Sequence, residues 1–240
     1  MKNKFGFILV NPQMGENIGA CARSLKNFNL SNLIIVNPKQ GWPNIKTKAT
    51  SVGAFDIIKK AKTYSSVRDS LNRFDVIFAL SSRKRDINKK HVSFNDFIKI
   101  ISNNRERNYG FMFGPEASGL SNEDLSFSNY ILRIPTYKKF KSMNLSHSLT
   151  IICYEIFKLL NQTQFKKGKK LKKIASKRSL NKLSIFLQKL LEEKNFFKPT
   201  EKKKSMILNI NNILSRLEIS SKEIRILSSI FGSLSKNKKF

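Results

Sequence analysis

The chain has 240 residues, and its 46 Lys and Arg side chains outnumber 16 Asp and Glu, which gives a net charge of +30 at pH 7. This length is enough to bury the core of one or two domains. The charge favours a polyanionic partner, nucleic acid before a membrane surface, although the joint abundance of Lys, Asn, Ile and Phe also fits a coding bias that leaves part of the lysine as solvated surface.

Cysteine usage and apolar patterning exclude several classes of protein. Cys21 and Cys153 belong to no Cys-x-x-Cys pair, and with only two histidines the chain has no zinc-site spacing. Both cysteines lie on expected helix faces, which indicates buried free thiols in a reducing cytoplasm. The opening run Phe5–Val10 is too short for a signal segment, and no apolar run approaches membrane-spanning length. We therefore expect a cytoplasmic protein with no membrane partner.

Short apolar runs that end in turn residues predict five buried strands in the first two thirds of the chain. These strands are Phe5–Val10, Leu33–Val36, Asp75–Leu80, Tyr109–Phe113 and Tyr130–Ile134. Helical spacing predicts helices at Asn17–Asn27, around Ala54–Ala61, at Ser66–Arg73, at Phe94–Asn103, after Ser121 and at Asn144–Leu160. Strands that alternate with helices imply an α/β fold with a parallel sheet, whose strand order periodicity does not reveal.

The composition changes after residue 165. Lys166–Lys173 is a lysine-rich segment that separates two parts of the chain. Three apolar stripes at helical spacing follow it, at Leu183–Leu191, Ile207–Leu217 and Ile224–Leu234. We expect one α/β domain at residues 1–165, a basic linker at 166–178 and a small all-helical domain at 179–240. Residues 166–240 carry 21 basic and 5 acidic side chains, over half of the net charge, so this tail either faces nucleic acid or is a lysine-rich solvated bundle.

Two polar loops are the first candidates for a functional site. Gly114–Gly119 and Pro135–Asn144 each follow a predicted strand, and ligands of open parallel sheets bind at the carboxyl ends of strands. Taken singly, the polar residues of interest have ordinary structural interpretations. Asn17 could cap a helix, Arg23 could be a surface arginine and Glu116 could be a turn residue.

Three motifs together resemble the SpoU/TrmH branch of the SPOUT RNA methyltransferases. The first, Asn17–Arg23, matches the pattern Asn-x-Gly-Ala-x-x-Arg. The second is Phe113–Glu123, and the third is Ile134-Pro135 followed by Ser142–Ser146. The order of these motifs and their positions after strands also fit the family.

The resemblance implies a deep trefoil knot at the carboxyl end of the sheet and a homodimer, in which Arg23 of one subunit faces the methyl donor of the other. It also implies that backbone groups of the knot loops bind S-adenosylmethionine. Carried over by position, these contacts fall on Leu80, Ser81, Ser82, Gly114, Ile134, Ser142, Met143 and Asn144.

The implied reaction is in-line attack of an RNA 2′-hydroxyl on a sulfonium methyl group, which needs a docked phosphate, an oriented ribose and removal of one proton, but no metal. Arg23 can hold the phosphate bidentately, whereas a role as general base needs a neutral guanidine, which a pKa above about 12 makes rare. Asn17 can fix Arg23 or the ribose, and Glu116 can orient Arg23 or the cofactor loop. Asn144 and Ser142 can offer hydrogen bonds near the methyl donor.

The substrate is inferred from the tail. Phe196-Phe197 and the segment Leu214–Leu227 are similar to the tail of family members that methylate cytidine or uridine at position 32 of the tRNA anticodon loop. We therefore expect a tRNA ribose 2′-O-methyltransferase. A ribosomal RNA methyltransferase of the same family and a non-catalytic RNA-binding protein with the same fold are the alternatives.

Overall fold

The computed structural model describes residues 4–83, 87–161 and 174–235. Its strands are β1 (Phe5–Val10), β2 (Leu33–Val36), β3 (Lys62–Tyr64), β4 (Val76–Leu80), β5 (Lys90–Val92), β6 (Tyr109–Phe113) and β7 (Tyr130–Leu132). Its helices are α1 (Gly15–Asn27), α2 (Ile45–Thr50), α3 (Phe55–Lys60), α4 (Val67–Ser70), α5 (Phe94–Asn103), α6 (Asn122–Ser126), α7 (Leu145–Asn161), α8 (Lys177–Glu193), α9 (Lys203–Arg216) and α10 (Ser221–Ser235).

The strands form one sheet in the order β3-β2-β1-β6-β4-β7-β5. Every neighbouring pair is parallel, as in the alignment of Phe7 with Phe111 and of Phe78 with Phe111. The carboxyl ends of β6, β4 and β7 are therefore neighbours at one edge of the sheet. This parallel α/β sheet with a helical C-terminal region confirms the predicted fold class, and the threading of the knot stays a prediction.

Both faces of the sheet are covered by apolar side chains. On one face the rings of Phe7, Phe111, Phe78 and Tyr130 stack in sequence, with centroids 5.4 to 5.7 Å apart, beneath helices α1, α5 and α7. The other face packs alternate strand residues, such as Met112, against α4 and α6. Burial on both faces explains why the central strands are continuous apolar runs in the sequence.

The two cysteines confirm the prediction of buried free thiols, whereas two edge strands and one helix are absent from the predicted set of elements. Cys21 and Cys153 are buried and free, and burial raises the pKa of both thiols. Strands β3 and β5 were not predicted, because each is only three residues long and two of the three are exposed and polar. These are Lys62 and Thr63 in β3 and Lys90 and His91 in β5. Short edge strands with charged residues lack the apolar run that identifies a central strand. Helix α2 was also missed, since only Thr47 in it is buried.

Helices α8, α9 and α10 pack around a small apolar cluster. The buried members are Ala175, Leu180, Leu183, Leu214 and Ile224. The predicted stripes are only partly covered, since Ile213 is 50% exposed and Leu234 is 76% exposed. Ser220 caps α10: its hydroxyl accepts from the Glu223 N–H at 3.3 Å, and its own N–H donates to the Glu223 carboxylate.

The predicted domain limits stay a prediction, with one adjustment at the start of the tail. Residues 166–173 of the predicted basic linker lie outside the described residues, and its last two, Lys177 and Arg178, begin helix α8. The tail contacts the sheet domain directly. The Lys177 N–H donates to the Phe74 carbonyl at 2.8 Å, and Asn129 Nδ2 donates to the Ser215 carbonyl at 3.0 Å. Among the described residues, no helix is long and apolar enough to cross a lipid bilayer.

Two lysines are buried where the tail meets the sheet domain. Lys89 Nζ donates to the carbonyls of Ser126 at 2.9 Å and Ser128 at 2.7 Å, whereas Lys177 Nζ is buried with no hydrogen-bond partner in the described part of the chain. Burial lowers the pKa of Lys89 to about 6, with smaller contributions from the charges of Lys177 and Arg216, and lowers that of Lys177 to about 7. Lys177 also begins α8, where the helix dipole disfavours a cation.

Lys177→Met is expected to stabilise the protein near neutral pH and to reduce its pH dependence. An unfolded lysine keeps its proton up to about pH 10, so between about pH 7 and 10 the unfolded state binds more protons and stability rises with pH. Removing the buried amine should raise the free energy of unfolding at neutral pH by about 1–4 kcal/mol. Urea unfolding at about pH 6, 8 and 10 measures both effects.

The control is Lys189→Met, which removes an exposed lysine of the same helix and should leave both the stability and its pH dependence nearly unchanged. A Lys177→Met variant that is less stable than the wild type at each pH would contradict the argument, because it would show that the buried amine makes net favourable contacts.

Candidate active site

The loops that follow β4, β6 and β7 meet at the carboxyl edge of the sheet and enclose one cavity. Its lining residues are Leu80, Ser81, Ser82, Arg83, Phe113, Gly114, Pro115, Glu116, Ala117, Gly119, Leu132, Ile134, Thr136, Lys141, Ser142, Met143, Leu145 and Ser148. The three strands are neighbours in the sheet, so three loops that are separate in the sequence come together here. This is where ligands of parallel α/β proteins bind.

Seven of the eight residues predicted to contact the cofactor line this cavity. They are Leu80, Ser81, Ser82, Gly114, Ile134, Ser142 and Met143. The eighth, Asn144, follows the last of them but is outside the lining. Its side chain instead contacts helix α1 and the first turn of α7. The structure thus brings seven of the eight predicted residues together at one cavity, and their role in cofactor binding stays a prediction.

Sequence reasoning missed several residues of the cavity. Arg83 and Lys141 bring positive charge to it, and Arg83 Nη2 donates to the Ala117 carbonyl at 3.1 Å, which ties the loop after β4 to the loop after β6. Both residues lie in polar loops that follow strands, and this position in the sequence could have identified them as candidates for the site. In a chain with 46 basic side chains, however, two more basic residues do not stand out.

Gly114 is required by a close approach of two backbone segments. A Cβ atom at this position would lie 2.2 Å from the Leu120 nitrogen and 2.4 Å from the Gly119 carbonyl carbon. Both are backbone atoms, which cannot rotate away as a flexible side chain can. Any side chain at position 114 therefore forces the backbone between residues 114 and 120 to shift.

A line of hydrogen bonds connects the first helix to the cavity. The Gln13 N–H donates to Glu116 Oε2 at 2.8 Å, and Asn17 Nδ2 donates to Glu116 Oε1 at 2.7 Å. Gln13 Oε1 in turn accepts from the Ala117 N–H at 2.9 Å, and Asn144 Nδ2 donates to Asn17 Oδ1 at 3.1 Å. Both oxygens of Glu116 are therefore occupied, and residues from three distant segments are held in a fixed arrangement.

Asn17 is not the helix cap that a local interpretation of the sequence allows. Helix α1 begins at Gly15 with Met14 at its N-cap position, so Asn17 lies inside the first turn. Its side chain is only 8% exposed, and leaving such an amide unpaired would cost about 1–3 kcal/mol. The partners Glu116 and Asn144 satisfy it. Asn144 is the residue that caps a helix, since its Oδ1 accepts from the Ser146 N–H at 2.8 Å ahead of α7.

Arg23 is the predicted site residue that the structure does not bring to this network. It lies six residues after Asn17, about 9 Å along the helix axis and on a different face. Its side chain is exposed and makes no hydrogen bond or ion pair with any residue that the structure describes. The contacts from Asn17 and Glu116 to Arg23, which the sequence allowed, are therefore absent within one subunit.

The described residues contain no group of three or more His, Cys, Asp or Glu side chains placed to hold a metal ion. The ionisable groups at the cavity are instead Glu116, Arg83 and Lys141. The site is thus built from hydrogen-bonding side chains, backbone groups and positive charge.

The fold and the cavity define a parallel α/β protein with a ligand site at the carboxyl ends of its strands. The family follows from comparison with known sequences. The model of the SpoU rRNA Methylase family matches residues 4–154. The chain therefore belongs to the SpoU methylase family, which confirms the resemblance drawn from the three motifs.

Two relatives that match nearly the whole chain carry the name TrmJ. The chain is 32% identical over 230 residues to the tRNA (cytidine-2′-O-)-methyltransferase TrmJ of Methanocaldococcus jannaschii, covering 93% of this chain and 96% of the relative. It is 28% identical over 248 residues to the tRNA (cytidine/uridine/adenosine-2′-O-)-methyltransferase TrmJ of Pseudomonas aeruginosa, covering 98% of this chain and 95% of the relative.

Solved structures support the same relationship. The crystal structure of TrmJ from Z. mobilis ZM4 superposes with a TM-score of 0.87 at 28% identity, over 96% of this chain and 99% of that chain. The SpoU methyltransferase AviRb from Streptomyces viridochromogenes, solved in complex with AdoMet, shares the fold with a TM-score of 0.54 at 19% identity, over 66% of this chain and 58% of that chain. The likeness to TrmJ thus includes the helical tail, whereas the likeness to AviRb covers two thirds of the chain.

Proposed function

We propose that this chain is a tRNA ribose 2′-O-methyltransferase that uses S-adenosylmethionine and acts on cytidine or uridine at position 32 of the anticodon loop. The observation that carries the proposal is the hydrogen-bonded line from Gln13 through Glu116 and Asn17 to Asn144 at the rim of one cavity. Full-length similarity to tRNA 2′-O-methyltransferases supports the reaction and the RNA class. Position 32 rests on the resemblance of the tail.

The residues of the cavity fit S-adenosylmethionine. Leu80, Ile134 and Met143 offer apolar walls of the kind that hold an adenine ring, while Ser81 and Ser142 offer hydroxyls for the polar parts. The Gly114 position, where a Cβ would strike backbone atoms, keeps the loop backbone close to the ligand. When bound, the donor supplies a methyl group on a positively charged sulfur that is ready to leave.

Glu116 and Asn17 act as positioning residues in this proposal. Glu116 accepts hydrogen bonds from the loop after β1 and from α1, and its own loop lines the cavity. Of the two roles expected for Glu116, orientation of the cofactor loop is the one that the contacts support. Asn17 and Asn144, linked at 3.1 Å, extend this arrangement toward the first turn of α7, where they can orient the ribose.

Arg23 is proposed to act in the site of a partner subunit. Its guanidinium is exposed on α1 and has no partner among the described residues, so it is available to another molecule. Phe28, directly after the end of α1, packs against Tyr154 and Phe157 of α7 with ring centroids 5.7 to 5.9 Å apart, and Tyr154 is 48% exposed. Partly exposed aromatic surface of this kind suits a homodimer interface.

The proposed role of Arg23 is to bind the RNA phosphate beside the target ribose and to polarise the 2′-hydroxyl. A guanidinium forms two parallel hydrogen bonds to a phosphate and stays charged at neutral pH. Its positive charge lowers the cost of losing the hydroxyl proton without requiring a neutral arginine. The proton can then leave to solvent or to the phosphate itself.

Ribosomal RNA is the second candidate substrate, because the description of the matched family names rRNA. Methyl transfer from labelled S-adenosylmethionine to tRNA and, separately, to ribosomal RNA distinguishes the two, provided that the modified nucleoside is identified. The expected product is a 2′-O-methylpyrimidine in the tRNA anticodon loop. Labelling of ribosomal RNA alone would overturn the tRNA assignment, and no transfer from folded protein that binds the donor would favour a non-catalytic RNA-binding role.

A further inference from the structure

The loop between β7 and α7 carries two exposed aromatic rings among lysines. Its segment from Thr136 to Lys141 reads TYKKFK. Tyr137 is 69% exposed and Phe140 is 75% exposed. From Arg133 to Asn144 the chain has four basic side chains and no acidic one. Exposed aromatic surface that is not needed for the core marks a site of interaction.

The loop is placed at the mouth of the cavity. Thr136 and Lys141 both line the cavity, and Tyr137 and Phe140 are their direct neighbours in the chain, with Cα atoms about 3.8 Å away. The Phe140 N–H donates to the Tyr137 carbonyl at 3.0 Å, which closes a turn with the two rings at its ends. The rings therefore stand beside the point where the methyl donor is proposed to bind.

We propose that Tyr137 and Phe140 stack on unpaired bases next to the target nucleotide, while Lys138, Lys139 and Lys141 contact the flanking phosphates. This inference rests on the proposed function and specifies how that site holds its RNA. Aromatic side chains interleaved with cations are the usual platform for single-stranded nucleic acid, because every base offers a ring face. A duplex does not fit, since its base faces are already covered by stacking.

The tests are Tyr137→Ala, Phe140→Ala and the double variant. Each lost ring should lower kcat/KM for tRNA about 5- to 100-fold, mainly through a higher KM, while affinity for S-adenosylmethionine stays as in the wild type. Phe140→Leu keeps the apolar surface without a ring and should lose as much as Phe140→Ala. Tyr137→Phe keeps the ring and should rescue the KM relative to Tyr137→Ala.

A matched control removes exposed apolar surface away from the cavity. Ile45 of α2 is 88% exposed and does not line the cavity, so Ile45→Ala should leave the KM unchanged. A second measurement uses competition. A single-stranded oligoribonucleotide should inhibit the wild type much more than the double variant, whereas a duplex of the same sequence should inhibit both equally weakly.

Several results would overturn the inference. Wild-type kcat/KM in the double variant would show that the rings do not touch RNA. A changed oligomeric state in sedimentation velocity would assign the rings to contact between copies of the chain, and a loss of S-adenosylmethionine affinity would assign them to the cofactor. If the wild type methylates no tRNA, the proposed function fails. Fluorescence anisotropy with the single-stranded RNA then still tests whether the two rings bind RNA. Equal affinity of the wild type and the double variant would reject the proposed stacking.

Discussion

Arg23→Ala is expected to lower kcat/KM for methyl transfer to tRNA about a hundredfold or more, with little change in affinity for S-adenosylmethionine. The reason is the position of the side chain. Arg23 is exposed on α1, contributes nothing to the network around Glu116 and does not line the cavity. Its loss should remove a contact to RNA and leave the fold and the cofactor site as they are.

Separate measurements of cofactor affinity and of the methyl-transfer step test this prediction. Calorimetric titration with S-adenosylmethionine reports the cofactor, and single-turnover methyl transfer reports the chemical step. Arg23→Lys is the matched comparison, since it keeps the charge but loses the paired hydrogen bonds of a guanidinium, and we expect it to recover only part of the rate. A large loss of cofactor affinity in Arg23→Ala would contradict a role on the RNA side.

The central strands were predictable because burial on both faces gives them an unbroken apolar sequence. Phe5–Val10, Leu33–Val36 and Tyr109–Phe113 have the same limits in the structure as in the prediction. Their spatial order was not predictable, since it depends on which helices cross which face. That order decides the site, because it makes β6, β4 and β7 neighbours.

Local sequence motifs predicted only part of the candidate site. The motifs identified the loops that line the cavity, but not Gln13, which joins the loop after β1 to Glu116 and Ala117 through contacts between residues over 100 positions apart. For Lys177 the sequence instead predicts exposure where the structure shows burial. It lies in what the sequence suggests is a solvated basic linker, yet only 3% of it is exposed. Composition cannot reveal which of many lysines another element covers.

Gly114→Ala is expected to weaken S-adenosylmethionine binding by roughly 10- to 100-fold and to lower methyl transfer with it. The added Cβ would lie 2.2 Å from the Leu120 nitrogen, so the loop that carries Glu116 must shift, and the contact between Glu116 and Asn17 shifts with it. Calorimetry with S-adenosylmethionine measures the loss, and circular dichroism verifies that the sheet remains folded.

Gly232→Ala is the matched control for this substitution. Gly232 lies within α10, and a Cβ there would meet only the Phe186 ring at 3.7 Å, an ordinary contact. This variant should bind the cofactor as the wild type does and gain up to about 1 kcal/mol of stability from better helix propensity. Wild-type cofactor affinity in Gly114→Ala would contradict the assignment of the cavity to the methyl donor.

Mixing the two damaged proteins tests whether Arg23 acts across the proposed dimer. If it does, a mixed dimer of Arg23→Ala and Gly114→Ala subunits contains one complete site, made of the intact cavity of the first subunit and Arg23 of the second. Random exchange should then restore about a quarter of the wild-type rate from two nearly inactive proteins, because half of the dimers carry one working site of two. If Arg23 serves its own subunit, every site in the mixture lacks either the arginine or the cavity, and no activity returns.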